Sequence, residues 1–231
     1  MTSIPGERTD KEAIMNLTTV EGMQSEIFVP ITPKPVFTEL KKPLSECKVA
    51  FITAGGIHKK DQTPFNTSGD FSYRTIPFDT PSDRLMVTHG GFDNSDINKD
   101  VNAMFPIDRL HELVDAGFIG SLADETYTFM GGGGNVEKFR EETGPEIARK
   151  LKEQGVDIVL CTGGCGTCHR SATIVTRCCE EAGMSCVVIA ALPPIARQQG
   201  APRITAPHVP IGSNAGEPNY TVVTVDAEEP T

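Results

Sequence analysis

VDIVLCTGGCGTCHRSATIVTRCCEEAG, residues 156–183, decides the fold. Val156 to Leu160 is a short apolar run that reads as a buried strand. Ala172 to Ala182 reads as an amphipathic helix, stopped by Gly183. The eleven residues between them, CTGGCGTCHRS (Cys161 to Ser171), are a glycine-rich turn holding two thiols, Cys165 and Cys168. A strand turning into a helix is the repeating unit of a parallel sheet.

The same pattern recurs outward from this stretch. KVAFITAGG (Lys48 to Gly56), LMVTHGG (Leu85 to Gly91), ETYTFMGGGG (Glu125 to Gly134) and CVVIAALPP (Cys186 to Pro194) read as further strands. PIDRLHELVDAG (Pro106 to Gly117) is a helix, with Pro106 in its first turn and Ile107, Leu110 and Val114 on one face. TGPE (Thr143 to Glu146) matches a capping box, so a helix carrying Ile147, Ala148 and Leu151 is expected after a break at Gly144-Pro145. Strands alternating with helices predict an α/β fold. Its expected form is a three-layer, mostly parallel sheet with helices on both faces, Rossmann/flavodoxin-like.

Ile57 to Pro77 shows no period and is expected to be a long loop. Residues 1–20 are expected to be a mobile N-terminal segment, and 21–231 a single α/β domain. That domain begins with an extended arm, including VPITPKPV (Val29 to Val36). From Ile195 it ends in an irregular tail with at most one short strand.

With 231 residues, a net charge of −10 and no basic cluster, the chain lacks the footprint of a nucleic-acid or anionic-membrane binder. No run is long enough to span a bilayer, and the start lacks a signal-peptide pattern, so a cytoplasmic location is expected. Seven cysteines is an odd number, which favours reduced thiols with a chemical role over a disulfide framework.

Ligands of such sheets gather at the C-terminal ends of the strands. Here those ends are Ala54-Gly55-Gly56, His89-Gly90-Gly91, Gly131 to Gly134 and Thr162-Gly163-Gly164. Gly131, Gly132, Gly133, Gly163 and Gly164 are therefore expected to line the substrate, with Asp93 facing its nitrogen. The glycines at 131–134 lack P-loop and dinucleotide spacing, so they suit a carboxylate better than a nucleotide.

A thiolate is stabilised where a helix begins. Cys165 falls just before or at the N-cap and Cys168 in the first turn, a C-x-x-C pair able to close to a disulfide. His169 and Arg170 can add positive charge there, although His169 can equally face solvent. His89, at a strand end, is an acid–base candidate on the same edge, set against a structural histidine.

Three other readings compete for the thiol turn. It can be a tight turn of small buried residues. Cys161-x3-Cys165-x2-Cys168 has the spacing of a radical-enzyme [4Fe–4S] cluster, but few residues follow it and Cys161 points toward the core. A zinc site completed by His169, Cys178 or Cys179 competes with the apolar stripe on which the last two lie. Cys47 and Cys186 read as core. Asp93, Asp96 and Asp100 fail calcium-loop spacing and read as a hydrogen-bonded loop, and His58 and Lys59 as exposed loop charges.

GTCHRSA (Gly166 to Ala172) after a Gly-Gly-Cys turn matches something specific, as do THGGFDNSDINKDVNAMFPIDRLHEL (Thr88 to Leu113), FMGGGG (Phe129 to Gly134), EETGPEIARKLKEQGVD (Glu141 to Asp157), IAALPPIARQQGAPR (Ile189 to Arg203) and SEIFVPITPKPV (Ser25 to Val36). Together they resemble the glycine, sarcosine, betaine and D-proline reductase selenoprotein B family over nearly the whole chain. The family's selenocysteine position falls on Cys165, so this chain is a natural cysteine form or carries cysteine in place of selenocysteine.

The resemblance implies an oxidoreductase subunit acting in Stickland-type amino-acid fermentation, with D-proline preferred because of GTCHRSA and the short length. It implies a partner subunit, made from a proprotein, that carries a pyruvoyl group condensing with the ring nitrogen of D-proline. Cys165 then attacks Cα and opens the ring, and Cys168 resolves the adduct, releasing 5-aminovalerate and leaving a disulfide. An electron-donor protein reduces that disulfide again. No cofactor beyond a possible selenocysteine at position 165, and no metal, is implied in this chain. The alternatives are a betaine, sarcosine or glycine reductase-type subunit, or a non-catalytic thiol-redox or metal-binding electron-transfer module.

Overall fold

β3 (Lys48–Thr53) is the central strand. Side chains alternate across a strand, so Val49, Phe51 and Thr53 face one way and Ala50 and Ile52 the other. All five are buried, which is why the run is apolar without interruption. The structure, a computed structural model, describes residues 35–133, 136–216 and 218, together with the backbone of β1 (Thr19–Val20) and β2 (Met23–Gln24), an antiparallel pair.

The main sheet has seven strands. β11 (Ile204–Thr205), β10 (Ser185–Ile189), β9 (Ile158–Thr162), β3 and β8 (Glu125–Phe129) follow one another in parallel, and β5 (Tyr73–Pro77) closes the edge antiparallel to β8. β7 (Ser121–Leu122) also pairs with β3, at its start. The fold is thus α/β, with a mixed and mostly parallel sheet.

Helices meet both sides of β3 and β9. On the Val49 and Phe51 side, Val114 of α2 (Ile107–Asp115) packs with Val49 and Ile158, and Phe51 meets Phe105 edge-on at 5.7 Å. On the other side Cys161 stands beside Cys179 of α4 (Gly166–Glu181). α3 (Gly144–Glu153) packs along α4.

Every residue of α4 from Cys168 to Glu180 is buried. Its buried hydroxyls are paired with protein carbonyls: Thr173 Oγ1 donates to the His169 carbonyl at 2.8 Å, and Ser171 Oγ to the Gly131 carbonyl at 3.1 Å. The Glu180 carboxylate accepts from the Cys186 amide at 2.7 Å, from Arg203 at 2.5 Å and from the Thr38 amide, tying the arm and the tail to the helix.

Several expectations are corrected. α4 starts at Gly166 rather than Ala172, because a helix buried all round shows no amphipathic period over GTCHRS. Ile57 to Pro77 is not one loop. Its end forms β5, an edge strand where Pro77 is tolerated, and its start forms β4 (Ile57–Lys59). β4 pairs antiparallel with β6 (Leu85–Val87), so the Leu85 run lies outside the parallel sheet.

The capping box at Thr143 is not made. Thr143 Oγ1 donates to the Phe71 carbonyl at 2.5 Å, and Glu146 accepts from the Tyr73 hydroxyl at 2.7 Å. Gly144-Pro145 is no break either, since a π-helical turn (Phe139–Thr143) runs directly into α3. Pro193 and Pro194 open a helix, α5 (Pro193–Gln198), where the missing N–H groups cost little. β11 is the one short strand expected in the tail.

The expected mobile segment 1–20 and most of the arm lie outside the described residues, β1 and β2 apart. No helix among the described residues is long and apolar enough to cross a membrane.

Phe51 joins the sheet to Phe105 at the centre of the core. Phe51→Ala should therefore lower the unfolding free energy by about 3–5 kcal/mol, measured as a shift of the denaturant midpoint at unchanged slope.

Candidate active site

Three strand exits are laced together beneath the thiol turn. The Ala54 amide donates to the Thr162 carbonyl at 2.8 Å, and the Gly131 amide to the Ala54 carbonyl at 3.2 Å. The chain then turns at Gly56, whose φ of 75° suits glycine. A Cβ there would stand 2.4 Å from the Thr88 carbonyl oxygen. This turn carries the β4–β6 ribbon across the exits, and Thr128 fixes it by donating to the Ile57 carbonyl at 2.5 Å. The ribbon delivers His89 to the thiols from outside the parallel sheet.

Cys165 is the N-cap of α4 and is half-buried; Cys168, in the first turn, is fully buried. Their sulfurs lie 2.9 Å apart, against about 2.05 Å in a disulfide, and both thiols are free. His89 Nε2 is 2.9 Å from the Cys168 sulfur. The Thr167 hydroxyl is 3.1 Å from the Cys165 sulfur.

The direction of these bonds follows from one backbone group. The Gly91 amide donates to His89 Nδ1 at 2.9 Å. An N–H can only donate, so Nδ1 is the acceptor and the ring hydrogen sits on Nε2, aimed at Cys168. The Cys168 thiol in turn donates to Cys165. That bond, then His89 and the Thr167 hydroxyl, outweigh burial and hold the Cys165 pKa down to about 3. Burial, followed by the bond to Cys165, pushes the Cys168 thiol well above its ordinary value. The pair is therefore split into a thiolate at Cys165 and a thiol at Cys168.

His169 is buried and faces neither solvent nor sulfur. Its Nδ1–H donates to the Cys165 carbonyl at 2.7 Å, and its Nε2 accepts from the Leu192 amide at 3.1 Å. Burial lowers its pKa, so it stays uncharged and pins the thiol turn to the start of α5.

The glycines expected to line a ligand are mostly pressed against protein. A Cβ at Gly131 would come within 2.7 Å of Cys168 Cα, and one at Gly163 within 2.8 Å of His169 Cα. At Gly164 it would strike the Phe92 ring at 2.2 Å, and at Gly133 it would strike Gly69 Cα at 2.2 Å. The Gly132 amide turns to the Met130 sulfur at 3.2 Å. Gly134 lies outside the described residues. Asp93 accepts from the Ser95 amide at 2.9 Å and from its hydroxyl, beside the start of α1 (Ser95–Lys99). Asp96 accepts from the Ser213 hydroxyl of the tail, and Asp100 from the nearby Asn102 amide. His58 is buried rather than exposed, bonded to Thr88 Oγ1 at 2.8 Å.

Sequence reasoning missed Phe92, Thr167, Gly91 and Asn214. Phe92 stacks on His89 with centroids 4.3 Å apart and fills the space at Gly164. Asn214 of the tail donates to the Gly163 carbonyl, and Ser213 donates to Asp96 at 2.9 Å, so the tail clamps the thiol turn to the His89 loop. Gly91, Phe92 and Thr167 stood within quoted motifs that gave no sign of what they touch, and Asn214 stood in none.

His89, Cys165 and Cys168 place three ligand atoms within 4.8 Å of one another. Their polarity is wrong for a metal. A metal-bound Nε2 leaves the hydrogen on Nδ1, which normally donates to an oxygen, yet here Nδ1 faces an N–H. Cys161, Cys178 and Cys179 are buried along α4 and β9 and do not join the cluster, so the cluster and zinc spacings do not assemble among the described residues.

Residues 11–164 match the family described as glycine/sarcosine/betaine reductase selenoprotein B. The chain is 59% identical over 204 residues to the D-proline reductase subunit gamma of Acetoanaerobium sticklandii, covering 88% of this chain and 84% of that protein. It is 33% identical to the glycine reductase complex component B subunit gamma of Carboxydothermus hydrogenoformans, covering 90% of this chain and 50% of that one. It is 32% identical to the sarcosine reductase complex component B subunit beta of Peptoclostridium acidaminophilum, covering 86% and 48%. The chain thus spans about half the length of the glycine and sarcosine relatives. No solved structure matches.

The fixed ring of His89 can be read directly. Nitrogen-15 NMR of the reduced protein should show His89 as the Nε2–H tautomer and His169 as the Nδ1–H tautomer. A His89 hydrogen on Nδ1 would contradict the assigned direction of the chain of bonds.

Proposed function

The chain belongs to the glycine/sarcosine/betaine reductase selenoprotein B family, and from that membership we propose that it is the thiol-bearing subunit of a D-proline reductase. Its relatives are components of reductase complexes, so it is an oxidoreductase acting within a multi-subunit assembly. The D-proline assignment rests on the 59% identity, matched along 84% of that relative. The single observation that carries the mechanism is the polarised pair, a Cys165 thiolate 2.9 Å from a Cys168 thiol.

A pyruvoyl group on a partner subunit supplies the electron sink at the substrate nitrogen. Cys165 attacks Cα; the S–C bond forms as the C–N bond breaks, and the nitrogen keeps the electron pair and takes a proton. Cys168 then attacks the Cys165 sulfur. The S–S bond forms, the S–C bond breaks, and the proton given up by Cys168 balances the one taken at Cα. One D-proline and one dithiol thus become one 5-aminovalerate and one disulfide, which an electron-donor protein reduces again. His89, holding its hydrogen on Nε2, steadies the Cys168 sulfur as its proton leaves. His169 sets the height of the turn through the Cys165 carbonyl. Selenium at position 165 would meet the same donors.

Of the thiol turn, Cys165, Gly166 and Thr167 are the partly open residues, and we assign the substrate's path to them. Gly163, Gly164, Gly131, Gly132, Gly133 and Asp93 support that path from behind, being engaged with protein. The contacts of α2 and α4 on opposite sides of β3 and β9 support a three-layer, Rossmann/flavodoxin-like arrangement, and we place the assembly in the cytoplasm, away from nucleic acid and membrane.

The test uses the complex assembled with its pyruvoyl-bearing partner. Cys165→Ala should bring D-proline reduction to background. Cys168→Ala should stop after one attack, with a substrate-derived mass on Cys165 in intact-protein mass spectrometry. Sustained turnover by Cys165→Ala, or an unmodified Cys165 in Cys168→Ala, contradicts the assignment.

A further inference from the structure

We propose that this subunit also reduces hydroperoxides by itself, using the Cys165–Cys168 pair as peroxidatic and resolving thiols. The inference rests on reading that pair as redox-active, but it needs neither D-proline nor the pyruvoyl partner.

The geometry meets three requirements of such chemistry. First, the sulfur that must attack is the accessible one. Cys165 is half-buried, Gly166 and Thr167 beside it are also partly open, and Gly90 and Gly91 are exposed on the facing loop. The opening suits a small, flexible oxidant. Second, hydrogen-bond donors stand where the leaving oxygen must go: the Thr167 hydroxyl at 3.1 Å from the Cys165 sulfur, and His89 Nε2–H within 4.8 Å of it. Third, the resolving thiol is already in place at 2.9 Å, so closing the disulfide requires no unwinding of α4.

The atoms balance in two steps. The Cys165 thiolate attacks the outer oxygen of ROOH; the S–O bond forms, the O–O bond breaks, and the departing alkoxide, hydrogen-bonded by the Thr167 hydroxyl and His89 Nε2–H, takes its proton from solvent. Cys165 is then a sulfenic acid. The Cys168 sulfur attacks it; the S–S bond forms, the S–O bond breaks, and hydroxide leaves with the Cys168 proton as water. A small dithiol, or the protein that reduces this disulfide in the main reaction, returns both thiols.

Ionisation alone does not supply the rate. Roughly 3% of a free cysteine is thiolate at neutral pH, so full ionisation gains roughly thirtyfold. A less basic thiolate loses nucleophilicity with a slope of about 0.4–0.5, which more than cancels that gain for Cys165. The donors decide the outcome, since one hydrogen bond aimed at a developing oxyanion is worth about 10²–10³ in rate. A prompt reaction is therefore a signature of Thr167 and His89, and not of acidity.

The test takes the isolated, fully reduced chain, without partner or amino acid, and mixes it with one equivalent of hydrogen peroxide or cumene hydroperoxide. The mass should fall by two hydrogens, mapped to Cys165–Cys168, at a rate at least tenfold above free cysteine at the same pH. In Cys168→Ser, dimedone should trap a sulfenic acid on Cys165. His89→Ala should slow the peroxide reaction tenfold or more, and His89→Gln, which keeps a donor, should recover part of it. Alkylation by iodoacetamide, which releases no oxygen, should change much less in both. Oxidation no faster than free cysteine, a disulfide elsewhere, or equal slowing of alkylation and peroxide reduction would each overturn the proposal. If the peroxide reaction fails while the complex still reduces D-proline, only this second activity is lost. If both fail, the redox pair itself is wrong.

Discussion

One backbone amide sets the direction of the chemistry. The N–H of Gly91 can only donate, so it fixes the hydrogen of His89 on the nitrogen that faces Cys168. From there the bonds run one way, through the Cys168 thiol to the Cys165 sulfur, where the Thr167 hydroxyl joins them. Negative charge collects at the end of the chain that solvent reaches, and the proton is kept at the buried end. Two cysteines three residues apart, alike in sequence, become unlike in chemistry because one is enclosed and the other is fed by donors. The two histidines are locked in opposite tautomers by backbone groups, and only His89 is turned toward sulfur.

That arrangement depends on close approach between backbones. Gly131 lets the end of β8 lie against Cys168, Gly163 lets the thiol turn lie against His169, and Gly164 leaves room for the Phe92 ring that stacks on His89. The clustered glycines therefore do as much to bring the protein's own parts together as to admit a ligand. The tail completes the enclosure. Asn214 and Ser213 bridge the thiol turn and the loop after His89, segments far apart in the chain. The same close packing explains why α4 is buried on all sides although it carries Arg170, Arg177 and Glu180.

Much of this was legible in the sequence. β-branched runs gave β3, β8, β9 and β10, and the helical period gave α2 and α3. Cys165 and Cys168 were legible because a strand, a glycine turn and a helix follow in order. His89 was singled out as the end of a parallel strand, yet it arrives on a two-stranded ribbon outside that sheet. Periodicity cannot see such a ribbon, because its residues pair across a long connection and are too few to show a pattern. It also cannot show the first turns of α4, where every face is covered, or a helix opened by two prolines. Phe92, Thr167 and Asn214 act only through contacts made after folding, so even the quoted motifs that hold Phe92 and Thr167 did not show what they touch. Burial and hydrogen bonding make Cys165 the sulfur that carries charge, whatever its role in the family.

Cys165, and not Cys168, holds the negative charge of the reduced pair, and titrating thiolate absorbance in the ultraviolet while acidifying the reduced protein reads that charge. One thiolate should persist well below neutral pH, be absent in Cys165→Ser, and titrate at higher pH in Cys168→Ala, where its strongest donor is lost. A reduced protein with no thiolate at neutral pH, or one whose thiolate survives in Cys165→Ser, would contradict it.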